Sequence, residues 1–304
     1  MFLKYIFGIF LKKILKILPN QSKLAELINF ILIILIGSNH SRRLRSLDKK
    51  LKNINSDNFE SINFKFFNPI NEFKQIYAFI GDSHAEFYGR NFITKNDNEK
   101  FFITYHTGAT LLLTFGTSIN LLKKIFNFIK LLKNFNLKKN CTLNVIFSFG
   151  EIDVRNIYYQ YIKLDKSFKD EKNLKNFIEE NFFDNFLVLQ KMIKKNKIKK
   201  VRFFFKDITP TTYKKGYRPK NNKDLDKIRK TNAFPVIGSI KQRVYWRKLL
   251  SKRIKIMCKK HDLKFISLKK ENFNKNGTIN KFNTFDGFHI SNLNLLNDVQ
   301  RKIQ

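Results

Sequence analysis

The sequence has few of the residues that hold disulfide-rich or metal-bound proteins together. Only 2 of its 304 residues are cysteines, Cys141 and Cys258. They lie far apart and form neither a metal-ligand spacing nor a disulfide framework, so we predict buried thiols in a reducing cytoplasm. No cluster of His, Cys, Asp or Glu has metal-ligand spacing, and no glycine-rich loop has phosphate-binding spacing. The sequence therefore predicts no metal and no cofactor.

Acidic residues are also scarce. The chain has 24 Asp and Glu against 60 Lys and Arg, which gives a formal net charge of +36. Such an excess can indicate a nucleic-acid or anionic-membrane partner. However, the lysines are spread along the chain, and no zinc-finger spacing, RNP-like aromatic motif or basic zipper accompanies them. We predict no specific nucleic-acid partner, and a charge-driven nucleic-acid binder is the less favoured alternative.

A long hydrophobic run is absent as well. Residues 1–45 combine apolar residues with lysines and arginines, which predicts a basic hydrophobic helical extension. Its uninterrupted apolar run at 30–36 is much shorter than the ~20 residues that a membrane-spanning helix needs. No small-residue cleavage site follows, which argues against a secretory signal. Peripheral contact with an anionic membrane surface and a helical hairpin packed on the main domain both stay open, and the expected location is the cytoplasm.

The remainder predicts a connecting segment at 46–73 and an α/β domain at 74–304. Short apolar runs predict strands, and apolar residues at a 3.6-residue period predict helices. Strands are expected at 75–80, 101–105, 143–149, 201–205 and 264–268, and helices at 118–132, 173–193, 240–260 and 292–303. Residues 207–238, punctuated by three prolines, are expected to form a long irregular loop. The alternation favours a three-layer sandwich with a parallel sheet between helices.

In such sheets the reactive groups collect at the carboxyl ends of the strands. The first predicted strand ends in Gly81-Asp82-Ser83-His84. A serine there would stand at the sheet edge, near a helix N-terminus that favours developing negative charge. A structural N-cap explains the motif equally well when it is taken alone. His84 is not expected to be the base for Ser83, because neighbouring side chains point apart; it either lines the pocket or is packed.

A second candidate motif, Asp286-Gly287-Phe288-His289, lies near the end of the sequence. The spacing allows the Asp286 carboxylate to contact the His289 imidazole and fix its tautomer, while the other ring nitrogen accepts a serine proton. A surface Asp and a helix-capping His are the alternative interpretation of this segment alone.

Together the two segments resemble the SGNH (GDSL-like) hydrolase family, over roughly residues 74–304. The resemblance implies an α/β sandwich with a flavodoxin-like parallel sheet, with Ser83 as nucleophile, His289 as base and Asp286 orienting it. It also implies an oxyanion hole formed by the backbone amides of Ser83 and Gly108. A glycine at 108 is equally explained by a turn that needs positive φ.

The sequence departs from the family in its third motif, G-x-N-D, where it has Gly150-Glu151-Ile152-Asp153. Ile152 cannot donate the third oxyanion hydrogen bond that the asparagine supplies. Losing one such donor costs about 2.7–4 kcal/mol of transition-state stabilisation. Either Asn156 or another group substitutes, or the site is slower, or its acyl chemistry differs.

Charged residues around this motif are candidates for substrate binding. Arg155 could bind a carboxylate or sugar hydroxyls, with Glu151 and His84 beside it, although a surface Arg155–Glu151 ion pair is an equal alternative. Gly-Glu-Ile-Asp variants resemble proteins associated with surface-polysaccharide biosynthesis. The resemblance therefore implies an ester hydrolase or acyl (acetyl) transferase acting on an O-acylated carbohydrate. A catalytically impaired glycan-binding module is the alternative.

Overall fold

The computed structural model describes much of the expected α/β domain. The described residues are 74–82, 84–85, 100–106, 119–134, 140–166, 173, 176–177, 179–232, 235–280, 284, 299 and 302–303. All of them belong to one compact unit of the chain. The expected helical extension at 1–45 and the connecting segment at 46–73 lie outside the described residues.

Five parallel strands form one sheet in the order β2-β1-β3-β4-β5. The strands are β1 (Gln75–Gly81), β2 (Lys100–His106), β3 (Thr142–Ser148), β4 (Val201–Lys206) and β5 (Lys264–Ile266). This is the flavodoxin-like order, in which the direction of winding reverses between β1 and β3. The predicted parallel α/β architecture is confirmed, and each strand lies within two residues of its predicted bounds.

The central strands are apolar because both faces of the sheet are covered. β1 and β3 are each buried along their length after the first residue. On one face, Ile146 packs in a core that includes Val299 from the helical carboxyl-terminal segment. On the other, the Phe147 ring meets the rings of Phe182 and Phe186 edge-on, with centroids 5.6 and 5.9 Å away. Alternate side chains of one strand therefore reach two separate cores, as a three-layer sandwich requires.

Helices connect the strands. They are α1 (Ile119–Asn134), α2 (residues 151–164, with π-helical turns at Asp153–Ile157 and Gln160–Leu164), α3 (Asp184–Lys195, preceded by a π-helical turn at Glu179–Phe183), α4 (Asn222–Thr231) and α5 (Ile240–Lys260). The α5 bounds match the prediction, and α1 differs by one or two residues. Of the helix expected at 292–303, residues 299, 302 and 303 are described, and all three are helical.

One expectation was wrong: residues 207–238 are not irregular throughout, because they contain α4. This helix begins at an N-cap, Asn221, whose side chain accepts a hydrogen bond from the backbone N–H of Asp224. Only Leu225 is buried along its ten residues. The helix is short and mostly polar, with Leu225 and Ile228 as its only apolar residues, and this explains why the pattern resembled a loop.

Two smaller expectations concern thiols and membrane spans. Cys141 and Cys258 are both buried and free, as predicted. Within the described ranges, no helix has both the length and the apolar character needed to cross a membrane.

Candidate active site

The carboxyl ends of β1 and β3 touch at the point where the winding of the sheet reverses. A β-carbon added to Gly81 would lie 2.0 Å from the carbonyl oxygen of Ser148, so only glycine fits there. The backbone N–H of Asp82 points to the same carbonyl oxygen at 3.4 Å. The segment that follows β1 therefore begins beside Phe149 and Gly150, in the crevice where ligands of such sheets bind.

Asp82 caps a helical turn at this edge. Its Oδ1 accepts a hydrogen bond from the backbone N–H of His84 at 2.9 Å, and its carbonyl oxygen accepts one from the N–H of Ala85 at 2.9 Å. Residues 84 and 85 are helical. This is N-cap geometry, in which a side-chain oxygen satisfies an otherwise unpaired amide of the first turn. The expectation that a helix starts here is met by the described residues on either side of position 83.

The His84 ring is packed between two carboxylates. Its Nδ1 lies 3.2 Å from Oδ1 of Asp82 and its Nε2 lies 3.9 Å from Oε2 of Glu151. The residue is only 3% exposed. Burial alone would lower its pKa, but the hydrogen bond to Asp82 and the charges of Glu151 and Asp82 outweigh burial and raise the pKa above 6.5. Of the two expectations for His84, the structure gives the packed histidine.

Glu151 extends this chain of charges into α2. The Nε of Arg155, one helical turn on, donates to both carboxylate oxygens of Glu151 at 3.0 Å. Both residues are buried, at 2% and 7% exposure. The expected alternative of a surface ion pair was right about the pairing and wrong about the surface. Asp82, His84, Glu151 and Arg155 thus form a buried row of alternating charge, which we name the charge row.

Lys206, at the carboxyl end of β4, is a further buried charge on this edge, and sequence reasoning missed it. It is 1% exposed, and its Nζ donates to the Asp207 carbonyl oxygen at 2.9 Å and to Thr209 Oγ1 at 3.2 Å. Burial lowers its pKa to about 8, against the opposing charges of Asp207 and Asp82. The available signal was a Lys-Asp pair directly after an apolar strand.

The pKa of Asp82 is determined by three opposing influences. Burial would raise it, but the hydrogen bond and charge of His84, together with the charge of Lys206, hold it below 3.8. Its second oxygen, Oδ2, is buried and has no hydrogen-bond partner among the described residues. A carboxylate with a lowered pKa therefore lies directly before position 83 in the sequence.

The third motif contributes an apolar side chain at the expected asparagine position. Ile152 is 4% exposed and lies in the first turn of α2. Asn156, the candidate substitute donor, is buried, and its Oδ1 accepts a hydrogen bond from Nη2 of Arg229 on α4 at 2.8 Å. The helix that the sequence did not predict therefore holds the Asn156 amide.

Four of the predicted site residues lie outside the described residues: Ser83, Gly108, Asp286 and His289. The structure brings together the predicted Glu151, Arg155 and His84 and places Asn156 on the same helix as the first two. Among the described side chains, no group of three or more His, Cys, Asp or Glu is arranged to hold a metal ion.

Comparison with known proteins yields distant structural likeness only. No family model matches the sequence, and no curated protein matches it. Among solved structures, a candidate acylhydrolase of Bacteroides fragilis is 13% identical, with 76% of this chain and 88% of that chain covered and a TM-score of 0.42. A GDSL-like lipase of Bacteroides thetaiotaomicron is 16% identical, with 76% and 85% covered and a TM-score of 0.42. With TM-scores this low, function has to be argued from the chain's own residues.

Proposed function

We propose that this protein is a serine-dependent ester hydrolase or acyl transferase of the SGNH type, acting on an O-acylated carbohydrate. One observation carries the proposal: the Asp82-capped turn around position 83 stands at the carboxyl edge, where the winding of the sheet reverses. That is the place where open parallel sheets bind ligands. The sequence supplies a serine at this position and an Asp-x-x-His motif near its end.

The proposed reaction follows the acyl-serine route. The Ser83 hydroxyl oxygen attacks the ester carbonyl carbon while His289 takes its proton and Asp286 orients the imidazole. The tetrahedral oxyanion is held by the backbone amides of Ser83 and Gly108. Collapse breaks the bond to the sugar oxygen, which leaves with the proton from His289. Water then hydrolyses the acyl-serine, or a second sugar hydroxyl accepts the acyl group.

The charge row supports His289 as the base by removing the nearest competitor. His84 follows the serine directly, but its Nδ1 is paired with Asp82 and its Nε2 faces Glu151. Burial would lower the pKa of this imidazole, but the hydrogen bond to Asp82 and the charges of Glu151 and Asp82 raise it. Because both ring nitrogens already face carboxylates, His84 is not placed to take a proton from serine, and the base has to come from elsewhere in the chain.

Surface-polysaccharide biosynthesis is the proposed setting, with residues 1–45 contacting the inner face of the membrane from a cytoplasmic location. The second candidate is a glycan-binding module with impaired catalysis. The buried, apolar Ile152 favours it, because this side chain offers no hydrogen bond to an oxyanion.

Covalent labelling separates the two candidates. A fluorophosphonate probe should label the full chain on Ser83, and Ser83→Ala should abolish labelling and acetate release from p-nitrophenyl acetate. The matched control is Ser267→Ala, since Ser267 is exposed directly after β5, three strands away from β1. Labelling that survives in Ser83→Ala, or is absent from the unaltered chain, would overturn the catalytic proposal and favour the binding module.

A further inference from the structure

The segment that follows β4 exposes an aromatic and basic surface, residues 213–220, which we name the tyrosine loop. Tyr213 and Tyr217 are 39% and 56% exposed, although large apolar side chains are usually covered. The other exposed side chains of the loop are all cationic: Lys214, Lys215, Arg218 and Lys220. No acidic residue lies between 213 and 220.

Arg243 of α5 holds the backbone of the tyrosine loop in place. This guanidinium is fully buried. It donates to four oxygens around the loop, namely Thr211 Oγ1 at 3.2 Å, the Thr212 carbonyl at 3.2 Å, the Lys214 carbonyl at 2.7 Å and the Gly238 carbonyl. Because these bonds hold the main chain in place, ligand binding does not carry the entropic cost of ordering the loop.

Residues 236–238, which we name the strap, also hold the loop, at Tyr217. Its backbone N–H donates to the Val236 carbonyl oxygen at 2.8 Å, and its own carbonyl oxygen accepts from the N–H of Gly238 at 2.7 Å. A β-carbon at Gly216 would lie 2.3 Å from the Gly238 carbonyl oxygen, so the two segments can only approach this closely at a glycine. The exposed rings of Tyr213 and Tyr217 thus project from a backbone that these hydrogen bonds hold in place.

The tyrosine loop lies next to the candidate active site. The strap residue Ile237 donates its backbone N–H to the Arg155 carbonyl oxygen at 2.8 Å. Tyr159, one turn further along α2, donates its hydroxyl to the Pro219 carbonyl oxygen at 3.4 Å. Since Arg155 pairs with Glu151, which faces His84, only about one turn of α2 separates the strap from the edge of the sheet.

We propose that the tyrosine loop docks an anionic polysaccharide and so directs its O-acyl groups to Ser83, an inference that rests on the proposed function. Tyrosine rings offer large, rigid apolar faces at low entropic cost, which suits the C–H face of a sugar ring. The four cations pair with carboxylates on the same polymer; no acidic residue lies between them in the sequence, and Asp224, just beyond the loop, accepts a hydrogen bond from the backbone N–H of Lys220. A uronic-acid polymer carrying acetyl esters has both features.

The test compares two acetylated polymers of opposite character. The unaltered chain should release acetate from acetylated polygalacturonate in preference to acetylated dextran, which is neutral. Tyr213→Ala/Tyr217→Ala should raise the KM for acetylated polygalacturonate at least tenfold, because the rings that contact the sugar faces are lost, and Tyr213→Phe/Tyr217→Phe should retain most of the affinity. Tyr245→Ala is the control, because Tyr245 is equally exposed, at 55%, on α5 outside the loop.

A binding assay on the Ser83→Ala chain distinguishes failure of this inference from failure of the proposed function. Polygalacturonate should bind the Ser83→Ala chain, with a Kd that Tyr213→Ala/Tyr217→Ala raises at least tenfold and Tyr245→Ala does not. If the Kd changes in this way but the unaltered chain cleaves no ester, the docking surface is supported and the enzyme proposal is rejected. If the chain cleaves the ester but neither the KM nor the Kd for the anionic polymer changes when the tyrosines are replaced, the docking surface alone is overturned. The docking surface is also overturned if a single-stranded oligonucleotide binds in a way that depends on the loop tyrosines and polygalacturonate does not bind.

Discussion

Gly81 and Ser148 approach so closely that a β-carbon on the first would lie 2.0 Å from the carbonyl oxygen of the second. The contact joins the carboxyl ends of β1 and β3. It also sets the position from which the Asp82-capped turn departs, because the N–H of Asp82 points to the same carbonyl. The geometry of the candidate site thus depends on the lack of a side chain at Gly81.

Gly81→Ala should destabilise the protein strongly, because the obstacle is backbone and cannot rotate away. Overpacking of a well-packed interior costs about 1–3 kcal/mol, and a clash with main chain belongs at the upper end or beyond. Urea unfolding followed by circular dichroism measures the change. Ser148→Ala is the control, since it removes the hydroxyl and keeps the carbonyl, and it should cost much less. Equal effects for the two variants would contradict this account of the contact.

Removing one partner of the buried Glu151–Arg155 pair should cost more than removing both. Arg155→Met leaves the Glu151 carboxylate buried without the Nε–H that both of its oxygens share, for which a loss of about 3–5 kcal/mol is expected. In the double variant Glu151→Leu/Arg155→Met no charge of the pair is left uncompensated. A double-mutant cycle from urea unfolding gives the coupling free energy. If the single and double losses simply add, the pair is not coupled as the 3.0 Å contacts indicate.

The Asp82–His84 pair should make stability depend on pH with a defined sign. The pKa of His84 is raised above 6.5, so its contribution is complete below pH 6.5 and is lost as pH rises through the folded-state pKa. The pKa of Asp82 is lowered below 3.8, so its contribution is complete above pH 3.8 and is lost as pH falls. The pair therefore stabilises fully between pH 3.8 and pH 6.5.

Nuclear magnetic resonance titration checks the histidine half of this prediction. His84 should titrate above pH 6.5, whereas His261, whose pKa is lowered by burial and the charge of Lys260, should titrate below it. His84→Gln identifies the signal and should flatten the decline in the free energy of unfolding above pH 6.5. A His84 midpoint below that of His261 would exclude the paired imidazolium.

Lys206 should produce the opposite slope at alkaline pH. Its pKa falls from 10.5 to about 8 on folding, so the unfolded chain holds more protons between those values and stability rises with pH there. The contribution of Lys206 is on the order of 3 kcal/mol, given 1.36 kcal/mol for each unit of pKa change. Compared with the unaltered chain, Lys206→Met should lower the change in unfolding free energy between pH 8 and pH 10, measured by urea unfolding, and the exposed Lys269→Met should leave that change as it is.

The elements of this fold that bury the most apolar surface are the ones that the sequence predicted. β1, β3 and β4 are mainly apolar. α5 follows an N-cap, Ser239, which forms a capping box with Gln242. In contrast, α4 buries only Leu225 and was missed, although Asn221 three residues before Asp224 is a cap signal. The two apolar residues of α4, Leu225 and Ile228, are too few to distinguish a short polar helix from a loop.

The charge row shows a second limit of sequence reasoning. The candidates Glu151, Arg155 and His84 were predicted because they are charged residues near strand ends. Their burial could not be predicted, since the same spacing serves a solvated i,i+4 pair on any helix. Lys206 was missed because a lysine at the end of a strand usually marks the beginning of an exposed loop. The residues that define the proposed triad, Ser83, Asp286 and His289, stay predictions.

Arg243 holds the tyrosine loop almost entirely through main-chain carbonyl groups, those of Thr212, Lys214 and Gly238. Every residue type carries such a carbonyl, so the shape of the loop does not depend on which side chains it exposes. If the proposed docking is correct, substitutions at 213, 214, 217 or 218 should change the polymer that is bound while the hydrogen bonds of Arg243 to the main chain are kept. A related chain that kept the arginine and varied these positions could acquire a new specificity by point mutation, and the loop is a natural place to redesign it.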